Sequence, residues 1–368
     1  MERLDVLKVY ADLHQIPEVA FDEHKTSAYI ADALEALGYE VTRNIGGKTS
    51  VMGILRGEEP GPVLMMRADM DALPFKNEDG TVEAVHACGH DSHSSMLLAA
   101  ASELVGKIKK GTLKLIFQAA EENLEGALSV CNAGVVQDVD YCLGVHIRPI
   151  QEIPPGTMSG SINHVSSTFM GVRLEGVAAH ASRPHLGVNC CEAAAMVVNA
   201  ITAIKLNPNF TWSAKVTAIR SESAAVNIIP DKGELWLDVR AQNNELMDEL
   251  IEKIKTAVQC AAAANGAKSE VFFPGAILPA SDYDDDLKAE LAEEIKKVVG
   301  EDKFVPECSA GGEDFHFYKK FNPSMKTAYF GVGVGAAPGL HHRAMSFDPC
   351  YLPNGVKVLV AMALRKLG

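Results

Sequence analysis

The sequence predicts an α/β fold interrupted by an inserted ferredoxin-like α+β domain, and three observations carry that prediction. Residues 63–67, 112–118 and 140–146 are almost continuous apolar runs, the pattern of strands buried on both faces of a sheet. Between about 166 and 275 the pattern changes to β-α-β-β-α-β, the order of a ferredoxin-like unit. Beyond 275 helical and buried-strand patterns alternate again. Residues 1–165 and 276–368 are therefore expected to form one domain and 166–275 a second domain set into it.

Taken in order, Leu4, Leu7, Tyr10 and Leu13 recur at helical spacing over 4–15, and Pro17 ends that helix. A second amphipathic helix is expected over 22–37, stopped by Gly38. Strands follow at 39–43, 51–55 and 63–67, then an alanine-rich buried helix at 94–105 and strands at 112–118 and 140–146. In the insert, strands are expected at 168–175, 212–221, 226–240 and 269–273, with helices at 187–205 and 245–264. The closing part predicts a helix at 284–299, a glycine loop at 310–315 entering a helix, a strand at 327–335 and a helix at 355–367. Gly331, Gly333 and Gly335 lie within a strand pattern and open no helix, which excludes a dinucleotide-binding glycine loop.

The chemistry gathers where those strands end. The stretch from Val85 to His93 holds one thiol, three imidazoles and one carboxylate in nine residues. Cys88 and His90 alternate around Gly89, so both can face one site. A thiolate with an imidazole suits a borderline metal such as zinc, manganese, cobalt or nickel. The strand at 63–67 runs into Asp69 and Asp71, the strand at 112–118 into Glu121 and Glu122, and the strand at 140–146 ends in His146. Taken singly, these are a polar turn, a solvated charge pair and a structural histidine. Three successive strands delivering them to carboxyl ends is a pattern of another kind, because open α/β sheets place their sites there. Adjacent carboxylates can also divide the work, one gripping a metal and the other taking a proton.

Composition narrows the class. The 368 residues are 47% hydrophobic and 22% charged, enough for two ordinary domains. The net charge of −14 is spread along the chain and argues against nucleic acid or an anionic membrane as partner. The charged start Met1-Glu2-Arg3-Leu4-Asp5 is helical in pattern, and no apolar run reaches about 18 residues, so a cytoplasmic protein is expected. Eight scattered cysteines fit a reducing compartment better than a disulfide scaffold.

Five stretches together resemble one known family. They are Arg67-Ala68-Asp69-Met70-Asp71-Ala72-Leu73-Pro74, His86-Ala87-Cys88-Gly89-His90-Asp91, Phe117-Gln118-Ala119-Ala120-Glu121-Glu122, His180-Ala181-Ser182-Arg183-Pro184-His185 and Gly311-Gly312-Glu313-Asp314-Phe315. The chain resembles the metallo-aminoacylase and carboxypeptidase family. Within it, the likeness is to the amidohydrolase branch of hippurate hydrolases, N-acyl-amino-acid amidohydrolases and auxin-conjugate hydrolases, over nearly the whole length. The resemblance implies a catalytic domain with a zinc-peptidase-like mixed sheet, and an inserted lid that also forms a homodimer. It implies two divalent ions (Mn2+, Zn2+, Co2+ or Ni2+), with Cys88, His90, Glu122, His146 and His341 as ligands and the Cys88 thiolate bridging. Glu121 would be the general base on a metal-bound water, and Asp71 would orient a ligand from behind.

In the lid, His180 would cross the dimer interface to steady the oxyanion, and Asn227 and Arg240 would meet the substrate carboxylate. Glu313 matches a loop lining the substrate pocket. The implied reaction is hydrolysis of the amide of an N-acyl or N-aminoacyl amino acid. The rivals are a dipeptidase, a deacetylase of an N-acetylated diamino acid, a non-catalytic binding relative and a closed structural zinc site. This chain departs from the family pattern at Ala119, where proline is usual, and at Ser92, where glycine is usual. It also has Leu340-His341-His342-Arg343-Ala344-Met345 where the family has Leu-His-x-Pro-x-Phe. Position assigns His341 as the ligand, with His342 an adjacent competitor, and Arg343 and Met345 change the pocket edge.

Overall fold

The computed structural model describes residues 3–368, so Met1 and Glu2 of the charged start lie outside the described residues. The chain divides into two compact units. The first runs up to Asn163 and resumes with Asp282–Gly368, and the second is His164–Ser281.

The first unit begins with α1 (Val6–His14), whose Asp5 side chain caps it by accepting the Leu7 N–H, and α2 (His24–Ala36). Val6, Val9 and Leu13 bury one face of α1, and Ile30, Ala31 and Leu34 one face of α2. Next come β1 (Glu40–Thr42), β2 (Val51–Arg56), β3 (Glu59–Asp69) and a hairpin of β4 (Leu73–Lys76) and β5 (Val82–Val85). They lead to α3 (His90–Leu104), β6 (Lys110–Gln118), α4 (Gly126–Asn132), β7 (Tyr141–Pro149) and the short β8 (Met158–Ser159) and β9 (Ile162–Asn163). Helix α3 starts four residues before the expected 94, because Gly89 turns the chain at φ 87° directly into His90. A Cβ on Gly89 would lie 2.3 Å from Ile147 Cδ1, so only glycine fits there. The expected strand over 140–146 continues three residues further, and Gly331 faces His146 in the ladder.

The second unit holds β10 (Ser166–Glu175), β11 (Ala179–His180), α5 (Cys190–Thr202), β12 (Trp212–Arg220), β13 (Ile228–Ile229), β14 (Lys232–Ala241), α6 (Asn244–Ala264) and β15 (Lys268–Phe272). Its main sheet has the antiparallel order β12-β14-β10-β15, and the buried faces of α5 and α6 join the same apolar cluster as the sheet. This is the ferredoxin-like arrangement. The strand expected over 226–240 is broken. Ile228–Ile229 pairs instead with Ala179–His180, and Pro230, which has no N–H to give a ladder, separates it from β14. The unit extends beyond 166–275 at both ends because Leu278 pairs with Ser167 and the Ser281 N–H reaches His164 O.

The chain then completes the first unit with α7 (Asp285–Val299), β16 (Phe304–Val305), β17 (Cys308–Ser309), α8 (His316–Phe321), β18 (Lys326–Ala336) and α9 (Leu352–Leu367). The large sheet has the order β1-β2-β6-β3-β7-β18-β8-β16. Its four central strands, β6, β3, β7 and β18, are mutually parallel and are flanked by the antiparallel β2 and β8. Residues of α1, α2, α3, α7 and α9 form one apolar core with the sheet, while α4 and α8 pack on each other apart from it. No helix among the described residues is long and apolar enough to cross a membrane.

Candidate metal centre

Because β6, β3, β7 and β18 run parallel and side by side, their carboxyl ends open on one edge of the sheet. Asp69 ends β3, Glu121 and Glu122 follow β6, His146 lies near the end of β7, and His341 follows β18. Cys88 and His90 arrive from the start of α3. The groups of ligand atoms within 4.8 Å of one another include His90, Glu121 and Glu122, and two that meet at one sulfur: Cys88, His90 and His146, and Cys88, Glu122 and His341. The thiol of Cys88 belongs to both.

The individual distances bear this out. Cys88 Sγ lies 3.5 Å from His146 Nε2, and His341 Nε2 lies 3.4 Å from Glu122 Oε1. His90 Nε2 is 3.8 Å from Glu122 and 3.9 Å from Glu121. His341 holds φ 63°, and its N–H donates to Ala87 O, which ties the loop after β18 to the Cys88 stretch. Both His341 and the neighbouring His342 are exposed, and His342 Nδ1 accepts the Ala344 N–H. It is His341 whose Nε2 lies beside Glu122.

A cation fits this donor set. His90 Nε2 and Glu122 Oε1 are buried without a hydrogen-bond partner, which would be costly if nothing bound there. His90 Nδ1 lies 3.0 Å from Asp71 Oδ1, so that with a cation bound Nε2 would offer its lone pair to the site. Burial, with His93 and Arg148 nearby, holds His146 well below the ordinary histidine range, so it is a neutral imidazole. Burial pushes the Cys88 thiol far up, and a thiolate there needs a cation beside it. Burial, with Glu313 and Asp314 close by, pushes the Glu121 carboxyl well above its usual range. A carboxyl so tuned is a stronger proton acceptor than a solvated one.

Beneath the site lies a buried network that the sequence reading did not isolate. The Arg67 guanidinium donates to Asp69 Oδ2 (2.6 Å), Gln118 Oε1 (2.8 Å), Asp314 Oδ1 (2.8 Å) and Glu313 Oε1 (3.0 Å). Glu313 also accepts from the Tyr329 hydroxyl and the Phe315 N–H. It is thus built into the floor beside Glu121, with Asp314 completing a group whose oxygens lie within 4.8 Å. His93 pairs Nδ1 with Asp69 Oδ1 at 2.6 Å, and its Nε2 accepts the Ile147 N–H at 2.8 Å, fixing the strand next to His146. The one signal for this network was a charged Arg67 at the end of an otherwise apolar strand.

The remaining expected residues lie in the second unit. His180 is exposed, and its Nδ1 meets the Ser182 hydroxyl at 2.8 Å. Asn227 is next to it, since its carbonyl accepts the Ala181 N–H. Arg240 is exposed on β14 and paired with Asp238 at 3.1 Å.

Comparison with known proteins agrees with this geometry. The chain is 33% identical to thermostable carboxypeptidase 2 of Saccharolobus solfataricus, over 89% of this chain and 86% of the relative. It is 30% identical to the hippurate hydrolase of Campylobacter jejuni, over 98% of this chain and 96% of the relative. Among solved structures, the Bacillus subtilis YXEP protein, described as a dinuclear metal binding peptidase, matches with a TM-score of 0.80 at 26% identity, covering 98% of this chain and 97% of that one. Residues 65–365 match the profile of peptidase family M20/M25/M40. The chain belongs to that family and is a hydrolase of amide bonds.

Proposed function

We propose that the protein hydrolyses the amide bond of an N-acyl or N-aminoacyl amino acid at a site for two divalent ions, held by Cys88, His90, Glu122, His146 and His341. The observation that carries this reading is the pair of three-ligand groups sharing Cys88, with Glu121 beside them in a further group with His90 and Glu122. Two bound ions would polarise the scissile carbonyl and acidify water. Glu121 takes the proton of the attacking water as the new C–O bond forms, then gives it to the amine nitrogen as the C–N bond breaks. Asp71 keeps His90 in the tautomer whose Nε2 faces the site, and also accepts the Glu122 N–H. The floor of Glu313, Asp314 and Arg67 fixes the surroundings of Glu121.

The second unit is the proposed lid and dimerisation domain, and the dimer supplies His180 to the oxyanion in trans. Asn227 and Arg240 meet the substrate carboxylate, a task suited to the planar fork of arginine. Val177, Leu186, Phe210, Val226 and Ile228 are exposed apolar side chains of this unit, which supports an interface between copies. Mixing Glu121→Gln chains with His180→Ala chains tests the shared site. A mixed dimer would have one site that combines an intact Glu121 with the partner's His180, so activity above that of either variant is expected. No gain after subunit exchange refutes the trans role. A cytoplasmic setting is part of the same reading, supported by the free thiols of all eight cysteines.

The reaction itself is tested by stripping the protein, restoring manganese, zinc, cobalt or nickel singly, and assaying N-acetyl, N-benzoyl and dipeptide substrates. Metal-restored hydrolysis is expected, with the panel ranking the N-acyl reading against the dipeptidase and diamino-acid deacetylase readings. Silence of a metal-loaded enzyme on every class of substrate would overturn it.

A further inference from the structure

The turn after β6 carries Glu121 and Glu122, and side chains from other segments hold its backbone at several points. The Ala119 N–H donates to Ser50 Oγ (3.0 Å), the Ala120 N–H to Glu23 Oε1 (2.8 Å) and the Glu122 N–H to Asp71 Oδ2 (3.0 Å). Ala120 adopts φ 53°, the left-handed region that a residue with a Cβ avoids. Its carbonyl is fixed as well, accepting the Gly126 N–H at 3.1 Å. Gly126 approaches so closely that a Cβ there would lie 1.7 Å from Ala119 O. A strained alanine therefore stands immediately before the proposed base and ligand, and it persists only if its surroundings hold it there.

Glu23 is the holder with no other evident task. It precedes α2, far from the site motifs in sequence, and it is fully buried. Among the described residues its carboxyl forms no ion pair, and the Thr49 hydroxyl donates to its second oxygen. Burying a carboxyl without a cation opposes folding, and an apolar side chain would close α2 onto the sheet at less cost. What Glu23 offers that an apolar residue does not is an acceptor aimed at the Ala120 N–H.

We propose that Glu23 is a positioning residue, which holds Ala120 in its left-handed conformation and so aims Glu121 and Glu122 into the site. The inference rests on the assignment of those two residues as base and ligand. Three variants test it, with hydrogen exchange of peptides covering 119–124 measured beside kinetics. Glu23→Ala is expected to lower kcat per folded chain about 10- to 100-fold with little change in KM, and to speed exchange in that segment. Glu23→Gln keeps an acceptor and is expected to retain slow exchange and most of kcat. Adding Ala120→Gly to Glu23→Ala is expected to recover part of the loss, because glycine takes the left-handed conformation without strain.

A purely structural Glu23 predicts something else: alanine and glutamine both lower the melting temperature, while kcat per folded chain and exchange at 119–124 stay as in the parent. That result overturns the proposal, as does a glutamine variant as impaired as alanine. If Glu23→Ala does not fold, Thr49→Val, which frees one side of the carboxyl, carries the same two readouts with a smaller expected effect. Should the parent enzyme hydrolyse nothing, the functional reading falls, while the exchange comparison still decides what Glu23 does to the turn.

Discussion

Replacing Asp71 by asparagine tests how the metal centre is assembled. Asp71 spends both oxygens on the site: Oδ1 meets His90 Nδ1 and Oδ2 accepts the Glu122 N–H, each at 3.0 Å. Asparagine has one oxygen and one amide group in the same space, so it can accept only one of these hydrogens. If the oxygen stays on His90, an N–H faces the Glu122 N–H. If it turns to Glu122, the amide donates to His90 Nδ1 and pushes the ring proton onto Nε2, the nitrogen that faces the site. Either arrangement loses one charge-assisted hydrogen bond, worth about 1.5–3 kcal/mol. At roughly 1.4 kcal/mol per tenfold, metal affinity should fall about 10- to 150-fold.

The assay is competition for zinc or manganese with a chromophoric chelator, run on Asp71→Asn and the parent at one pH. Asp71→Ala, which loses both bonds, should be weaker still. Binding curves that superimpose for parent and Asp71→Asn would refute both the ligand role of His90 and the tautomer argument.

Glu121→Gln should lower turnover about 10²- to 10⁴-fold while binding the same number of ions, since none of the five proposed ligands is altered; metal analysis beside initial rates checks this. Arg67→Met should destabilise the fold by about 3–5 kcal/mol in urea melts at neutral pH, because three buried carboxyls lose their shared cation. Asp284→Ala, which removes the side-chain cap of α7, should cost about 1 kcal/mol. Burial opposes ionisation of Asp284, but the Leu287 N–H and Lys326 outweigh it and lower its pKa. Its contribution is therefore complete above the unfolded carboxyl pKa and lost as pH falls through the folded one, so parent and variant should converge in acid.

The parts of the molecule written in local pattern were legible in the sequence. Apolar runs ending in Asp69, Glu121 and His146 gave the buried parallel strands, and the alternation of helix and strand gave the ferredoxin-like order of the second unit. What was hidden depends on long-range partners or single dihedral angles. Arg67 takes its meaning from Glu313 and Asp314, more than 240 residues away. His93 read as one more histidine in a dense stretch until Asp69 and the Ile147 N–H bracketed it. The early start of α3 turns on Gly89 alone, and the break in the 226–240 strand on Pro230. Neither changes the hydrophobic pattern from which the elements were read.

Charge balance gives an argument for cations that does not depend on any one ligand distance. Asp69, Asp71, Glu121, Glu122, Glu313 and Asp314 crowd the ends of the central strands, and Arg67 is the cation that faces the deeper three. Burying such an excess of acid is unfavourable unless protons or metal ions offset it. Protons serve Glu121, whose carboxyl is already held high. Burial raises the Glu122 carboxyl too, and Asp69 with Cys88 raises His90 against its own burial, yet Glu122 Oε1 and His90 Nε2 are left without a hydrogen-bond partner. Divalent ions held together with the shared thiolate would satisfy both atoms.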